Sequence, residues 1–303
     1  MTKYISFNFC QQYLKRKWVS TGLLCLSLLC VTTISRTHIS NAIVKERSDQ
    51  LEVENASSGR ANFEELLAGR GPLYLAPDHP QLIQYVRQNV LVPPSQLPYN
   101  LTHPDKDSSP EGQTKRALKI VNNMSGGFFV EAGAVDGEHY SNTLGLELHN
   151  DWSGLLVEPN PKSFAKLLHK HRKAWAANAC LSPYQYPAKI PFKPAIRKDM
   201  EIPESSGKVY KYKIKEEDDI EVQCFPLQSL LLALNQTTVD YLSLDVEGSE
   251  LDVITTLPLQ DLNIKVFSIE YLYIPGGKEA VVQYMNCKGY IYHSSIYLDV
   301  FMI

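Results

Sequence analysis

The sequence contains little cysteine and almost no imbalance of charge. Six cysteines in 303 residues are too few for a scaffold held together by disulfides. The 30 lysines and arginines are nearly balanced by 33 aspartates and glutamates, so the net charge is -3, and a basic nucleic-acid-binding protein is not expected. The sequence also lacks CxxC and HxxxH pairs and internal repeats. We therefore assign no metal ligands and expect no repeat architecture.

Charged residues are absent from one apolar run near the amino end. Residues 18–34 contain no charged side chain, and a helix of this length spans about 26 Å, close to the thickness of a thin bilayer. Lys15, Arg16 and Lys17 directly precede the run. By the positive-inside rule they place the amino terminus in the cytosol and the remainder of the chain in the lumen. A cleaved signal peptide is the alternative, although residues 32–34 make a poor cleavage site for it.

This topology divides the chain into segments of different expected location. Residues 1–17 would be a cytosolic tail, 18–34 a transmembrane signal anchor and 35–75 a polar stalk. Residues 76–303 would form a lumenal domain, whose first part, 76–114, is an amino-terminal extension. We expect the protein in the membrane of the endoplasmic reticulum or Golgi, with the endosome and the plasma membrane as further compartments.

Two further features favour the secretory pathway. Four N-glycosylation sequons follow the apolar run, at Asn55, Asn100, Asn123 and Asn235. Three cysteines would face an oxidising lumen, namely Cys180, Cys224 and Cys287. One disulfide with one remaining thiol and three reduced thiols are both compatible with this number.

From about residue 115 onward, short apolar runs alternate with helical patterns. The runs predict five strands, at residues 128–130, 155–157, 174–181, 241–246 and 266–271. Such alternation predicts a parallel sheet with helices on both faces. Two more strand-like pieces end the chain, at residues 290–293 and 298–302. The expected fold class is α/β, a mostly parallel seven-stranded sheet of Rossmann-like, class I methyltransferase shape behind the transmembrane helix. Residues 183–222 form a polar insertion rich in lysine and glutamate, and its charge run from Lys208 to Asp219 predicts a solvated hairpin or loop.

Acidic side chains end the predicted strands. They are Glu131, Glu158, Asp245, Glu247 and Glu270. Ligands of doubly wound sheets bind at the carboxyl ends of the strands, so these carboxylates could bind a cofactor, hold a divalent ion or act as a base. Each of them alone could instead cap backbone N–H groups. Val135 stands at the second glycine position of a GxGxxG phosphate loop, which disfavours a pyrophosphate ligand.

The chain resembles the FkbM-type methyltransferases over roughly residues 115–303. The matching blocks are EAGAVDGEHYSNT, LLVEPNPKSFAKL, NACLS, CFPLQSLL and LSLDVEGSELDVI. The resemblance implies S-adenosylmethionine as the cofactor and methyl transfer to an oxygen. It implies that the cofactor is bound by Glu131, Gly133, Ala134, Gly137, Glu158 and Asn160. It also implies that Asp245 and Glu247 are the catalytic residues near the transferred methyl group. Glu131 replaces the family's more common aspartate, and Val135 replaces a residue that is often polar.

Further upstream, residues 77–101 resemble the segment that precedes this domain in Star-type membrane proteins. They read PDHPQLIQYVRQNVLVPPSQLPYNL. That resemblance implies a single membrane pass and the escort of membrane-tethered growth-factor precursors from the endoplasmic reticulum to the Golgi, within epidermal growth factor receptor signalling. Two functions therefore remain open. A trafficking adaptor is preferred, with the membrane and a growth-factor precursor as partners and no nucleic acid. An active lumenal O-methyltransferase is the alternative.

Overall fold

The computed structural model describes residues 63–70, 73–104, 109, 111–194, 207–209 and 219–303. The expected anchor, residues 18–34, lies outside these residues, as do the cytosolic tail, most of the stalk and Asn55. Within the described residues, no helix combines the length and the apolar character needed to cross a bilayer.

The described residues form eight helices and fourteen strands. The helices are α1 (Phe63–Leu67), α2 (Pro80–Asn89), α3 (Gln113–Ile120), α4 (Leu144–Asn150), α5 (Pro161–His169), α6 (Leu227–Ala233), α7 (Glu250–Thr256) and α8 (Gly277–Cys287). The strands are β1 (Leu91–Val92), β2 (Phe128–Ala132), β3 (Ser153–Val157), β4 (Trp175–Ala177), β5 (Cys180–Leu181), β6 (Ala188–Pro194), β7 (Gly207–Val209), β8 (Ile220–Phe225), β9 (Thr238–Val239), β10 (Tyr241–Leu244), β11 (Asn263–Ile264), β12 (Phe267–Glu270), β13 (Tyr292–Ile296) and β14 (Asp299–Met302).

Eight strands form one mixed sheet in the order β1-β4-β3-β2-β10-β12-β14-β13. The five strands from β4 to β12 are parallel, whereas β1, β14 and β13 pair antiparallel with their neighbours. The expectation of seven strands is thus corrected to eight, because Leu91 and Val92 add an edge strand along β4. A strand of two residues is too short to show a hydrophobic period, so the sequence pattern did not predict it.

Alternate residues of the central strands enter two cores, one on each face of the sheet. On one face, Val130 and Leu155 pack with side chains of α2, α6, α7 and α8. On the other face, Phe129 and Leu156 pack with side chains of α3, α4 and α5. This alternation follows from the period of two in a strand. It confirms the prediction of helices on both faces.

The amino-terminal extension is built into the first of these cores. In α2, Leu82 and Val86 are fully buried, and this helix packs against α6. Arg87 tightens the contact, since its Nε donates to the carbonyl oxygen of Ala233 over 2.8 Å. Leu67 and Leu75, from the segment expected to be a stalk, are buried in the same core.

The polar insertion 183–222 contains strands, whereas its charge run from Lys208 to Asp219 lies mostly outside the described residues. β6, β7 and β8 form a second sheet with β5, in the order β5-β8-β6-β7. Ile190 and Phe192 of β6 point into a small core of their own, while Lys189 before them and Lys193 after them are exposed. The period of two was therefore present in the sequence, but its few apolar residues were outweighed by the surrounding charge.

Candidate functional site

A cleft opens at the carboxyl ends of β2, β3 and β10, where doubly wound folds bind their ligands. It encloses about 550 Å³, a volume that includes the solvent at its mouth. Its lining residues are Ala132, Gly133, Val135, Val157, Glu158, Pro159, Cys180, Leu181, Phe192, Asp245, Val246, Glu247 and Ser249. Phe192 belongs to β6, so the second sheet forms part of one wall.

The turn after β2 brings Gly133 against the end of β10. Gly133 has a φ of 88°, and a Cβ built on it would lie 2.1 Å from the carbonyl oxygen of Asp245. Its own N–H donates to Val157 at the end of β3 over 3.0 Å. Only glycine allows this backbone conformation together with such a close approach. Three strand ends are therefore held together at the floor of the cleft.

Val135 follows in the same turn with a φ of 54°, a conformation that a β-branched residue adopts rarely. Its N–H donates to one carboxylate oxygen of Glu158 over 2.9 Å. This is the position at which a GxGxxG loop carries its second glycine. The left-handed conformation strains the valine backbone, and the valine side chain lines the cleft.

Glu158 lies at the end of β3 and lines the cleft. Burial raises its pKa to about 8, although N–H donors from Asn160 and Val135 act in the opposite direction. The Asn160 N–H donates over 2.7 Å to the second carboxylate oxygen. Each oxygen of a carboxylate can accept more than one hydrogen bond, so Glu158 retains acceptor capacity towards a ligand. Asn160 itself caps α5 by accepting from the Lys162 N–H over 3.0 Å and lies outside the lining.

Glu131 also lies outside the lining, along with Ala134 and Gly137. The Glu131 carboxylate is buried and accepts hydrogen bonds from the Asn142 N–H at 2.6 Å and from the hydroxyls of Ser141 and Thr143 at 2.9 and 2.5 Å. Burial raises its pKa, against the influence of Arg172 and of these donors. Glu131 therefore stabilises the loop between β2 and α4 through these hydrogen bonds. Its side chain leaves β2 on the face opposite to Ala132, which does line the cleft.

An ion pair between Arg172 and Glu147 also stabilises this loop. The sequence patterns predicted neither residue. Arg172 Nε donates to the Glu147 carboxylate over 3.1 Å, and each side chain is only 1% exposed. The Arg172 guanidinium also donates to the carbonyl oxygen of Gly137 and to the hydroxyl of Thr143. These partners are separated by 25 to 35 residues in the chain, so no local pattern could have revealed the pair.

Asp245 and Glu247 both line the cleft, as the sequence predicted for the two catalytic candidates. The Asp245 side chain is open to the cleft. Desolvation and the nearby carboxylates of Glu270 and Glu247 raise its pKa well above the usual range. Glu247 has a φ of 58° and is followed by Gly248 with a φ of 103°. The chain turns sharply here, which directs the acidic segment after β10 towards the cleft.

Two further carboxylates stand beside Asp245. Glu270, at the end of β12, has its pKa raised to about 8 by burial and by Glu247 and Glu250. Glu250 begins α7, and burial raises its pKa to about 6 while N–H donors from Gly248 and Val246 lower it. Glu270 followed from the strand pattern. Glu250 carried no separate signal, because an acid at the start of a helix is common.

Cysteine pairing and sequon exposure are visible in the described residues. Cys180 and Cys224 form a disulfide between β5 and β8, and Cys287 in α8 is not part of it. One disulfide bond therefore agrees with the first of the two alternatives that the cysteine count left open. The sequon asparagines within the described residues are all exposed, namely Asn100, Asn123 and Asn235.

A family model for the methyltransferase FkbM domain matches residues 131–292 of the chain. This segment is more than half of the protein and runs from the end of β2 to the start of β13. The chain belongs to the FkbM methyltransferase domain family. A search of curated proteins finds no match, so the resemblance of residues 77–101 to Star-type proteins stays a prediction.

Proposed function

We propose that the cleft binds S-adenosylmethionine and that the domain transfers its methyl group to an oxygen of an acceptor. The observation that carries this proposal is the position of Glu158. Its carboxylate lines the cleft at the end of β3, across from the glycine turn at Gly133. An acid at this strand end is suited to bind ribose hydroxyls. The FkbM family match supports the same cofactor.

The lining of the cleft fits the chemistry of this cofactor. Val157, Leu181 and Phe192 offer an apolar wall for a purine ring. The carboxylates of Asp245 and Glu247 suit the positive charge of a sulfonium and an ammonium group. None of the described lining residues is basic, whereas a pyrophosphate is usually bound by arginine, lysine or a glycine-rich loop.

When bound, the cofactor supplies a methyl group on a positively charged sulfur. The protein's contribution is to position an acceptor oxygen in line with that group, which is mainly an effect of proximity and orientation. Asp245 and Glu247 are placed to orient an acceptor hydroxyl and to accept its proton. The close backbone approach at Gly133 places the ends of β2 and β10 side by side at the cleft.

Calorimetric titration of the full chain in detergent micelles with S-adenosylmethionine tests the proposal. Hydrogen bonds to a charged group contribute about 1.5–3 kcal/mol, so at a pH above the Glu158 pKa of about 8, where the carboxyl is ionised, Glu158→Gln should weaken binding about tenfold or more. Glu221→Gln is the matched control, since Glu221 lies in β8 and pairs with Arg70 at the surface. The wild type failing to bind millimolar cofactor would overturn the proposal.

We further propose that residues 18–34 anchor the protein and that residues 76–303 face the lumen. The disulfide supports this location, because such bonds persist in oxidising compartments. The exposed sequon asparagines support it as well. Removal of N-glycans should increase the gel mobility of the wild type, and replacing Asn100, Asn123 and Asn235 by Gln should reduce that shift. A cytosolic domain would show no shift at all.

A second candidate function is the trafficking adaptor. Two observations favour it: Val135 narrows the cleft where other folds carry glycine, and both Glu158 oxygens already accept N–H groups of their own chain. Under this proposal the domain assists export of a membrane-tethered growth-factor precursor without methyl transfer. Export assays with Glu158→Gln separate the two functions. Unchanged export with cofactor binding lost would support the adaptor, and loss of both would support the enzyme.

A further inference from the structure

Three carboxylates converge where β10 and β12 end. Asp245 directly follows β10, Glu250 begins α7, and Glu270 is the last residue of β12. One carboxylate oxygen of each lies within 4.8 Å of one such oxygen of the other two. The strand-end pattern left a divalent ion open as one ligand of Asp245 and Glu270 but did not include Glu250, which meets them only through the sheet.

This cluster has no compensating positive charge among the described residues. No ion pair there joins a lysine or arginine to Asp245, Glu250 or Glu270. The strongest charges acting on each of them are instead other carboxylates. Carboxylates placed this close together repel each other unless a proton or a cation lies between them.

Unsatisfied oxygens give a second and independent indication of a ligand. Glu250 is fully buried, and its Oε1 accepts from the N–H groups of Val246 at 2.9 Å and Gly248 at 3.0 Å. Its Oε2 is buried and has no hydrogen-bond partner within the described chain, and the same is true of Glu270 Oε2. Burying a carboxylate oxygen without a partner is costly. A cation bound within the cluster would give such oxygens a partner.

We propose that Asp245, Glu250 and Glu270 bind a divalent cation with a preference for oxygen ligands, of the class of Mg²⁺, Mn²⁺ and Ca²⁺. Oxygen-only sites select these ions over zinc. Ligands on opposite sides of Mg²⁺ are about 4.2 Å apart, and those of Ca²⁺ about 4.6–5.2 Å, so the observed separations suit this class. Three protein oxygens leave coordination positions free for water.

The site borders the cleft, because Asp245 belongs to the cleft lining as well as to the cluster. A cation held there would present its remaining positions to an oxygen of a bound ligand. With Asp245 on the cation, Glu247 is the carboxylate left to accept a proton from an acceptor hydroxyl. Cation binding itself does not depend on methyl transfer or on S-adenosylmethionine.

Titration of the metal-free full chain with Mn²⁺ alone, followed by electron paramagnetic resonance, tests the proposal. We expect one Mn²⁺ per chain, displaced by Mg²⁺ or Ca²⁺. Asp245→Asn and Glu270→Gln should each weaken binding at least about tenfold, since even ligand-supporting residues contribute that much. Glu221→Gln is the matched control, because Glu221 pairs with Arg70 at the surface outside the cluster, and it should bind Mn²⁺ as the wild type does.

Three outcomes would overturn the proposal. They are no Mn²⁺ binding at millimolar concentration, equal binding by the wild type and both cluster variants, and loss of binding in Glu221→Gln. A Mn²⁺-dependent rise in melting temperature, present in the wild type and absent in Glu270→Gln, checks that the ion binds the folded protein. Since no cofactor is present, failure here leaves the titration with S-adenosylmethionine to decide the proposed function separately.

Discussion

Gly133 packs so closely against Asp245 that a Cβ on Gly133 would lie 2.1 Å from the Asp245 carbonyl oxygen. Real Cβ atoms essentially never approach another atom closer than 3.0 Å. The residue after β2 and the residue after β10 therefore contact each other without an intervening side chain. This contact joins the part of the cleft that Glu158 lines to the part that Asp245 and Glu247 line.

Gly133→Ala should destabilise the fold more than an ordinary glycine substitution. Alanine at positive φ costs of order 1–3 kcal/mol, and the overlap with Asp245 adds about 1–3 kcal/mol more. Gly112→Ala is the control, since Gly112 has a φ of 86° and nothing within 4 Å of its Cβ position. Urea unfolding followed by the buried Trp152 measures both. If both variants lose the same free energy of unfolding, the contact with Asp245 does not restrict the side chain at position 133.

Val135→Gly should stabilise the protein by about 1 kcal/mol. A β-branched residue in the left-handed region stores of order 1–3 kcal/mol of strain, while glycine loses about 1 kcal/mol through the entropy of the unfolded chain. Val135→Ala keeps a Cβ at the same φ of 54° and should recover only part of the gain. Thermal unfolding compares the three proteins. A lower melting temperature for Val135→Gly would contradict the idea of strain.

Arg172→Met should destabilise the protein by about 3–5 kcal/mol, because it leaves the Glu147 carboxylate buried without its partner. The double variant Arg172→Met with Glu147→Leu should recover part of this loss. Arg70→Met is the control at an exposed ion pair, where side chains are 61% and 39% exposed, and it should change stability by less than about 1 kcal/mol. Denaturant unfolding measures all three. A small effect of Arg172→Met would mean that water reaches Glu147.

Glu138 should contribute stability that is lost in acid. Burial alone would raise its pKa, but the Lys170 ammonium at 2.6 Å and the N–H groups of Thr102 and His103 lower it to about 2. The folded value lies below the ordinary 4.5, so the unfolded chain binds more protons between these values. The contribution is complete above about pH 4.5, amounts to about 3 kcal/mol, and disappears as the pH falls towards about 2.

The stability difference between the wild type and Glu138→Gln measures this contribution across the acid range. It should be largest near neutral pH and shrink below about pH 4.5. In a Lys170→Met background the same difference should be smaller, because the ammonium is the largest stabilising influence on the carboxylate. A difference that stays constant with pH would show that Glu138 has no lowered pKa.

Much of the sheet could be predicted from local patterns. The apolar runs located β2, β3, β10 and β12 to within a few residues, because buried parallel strands are continuous apolar segments. The pattern failed for β1, which is too short, and for β6 to β8, whose apolar positions are separated by charge. These strands are stabilised by pairing with neighbouring strands and by a disulfide. Such contacts join distant parts of the chain.

The residues predicted for the site likewise fall into those that line the cleft and those that do not. Gly133, Glu158, Asp245 and Glu247 line the cleft as their strand-end positions indicated. Glu131, Ala134, Gly137 and Asn160 have comparable sequence positions and lie outside the lining. For Glu131 the reason is the alternation of a strand, which points it away from Ala132 and towards the loop that it supports.

The sequence by itself determined the family, the alternation of strands and helices, and the edge of the sheet at which the carboxylates gather. Apolar periodicity and strand-end residues are local properties, and they are readable without coordinates. Only the tertiary structure decided which carboxylates face the cleft, which ones support it, and that Glu250 joins Asp245 and Glu270. Those outcomes depend on side-chain direction, burial and charge between residues that meet only after the sheet has formed.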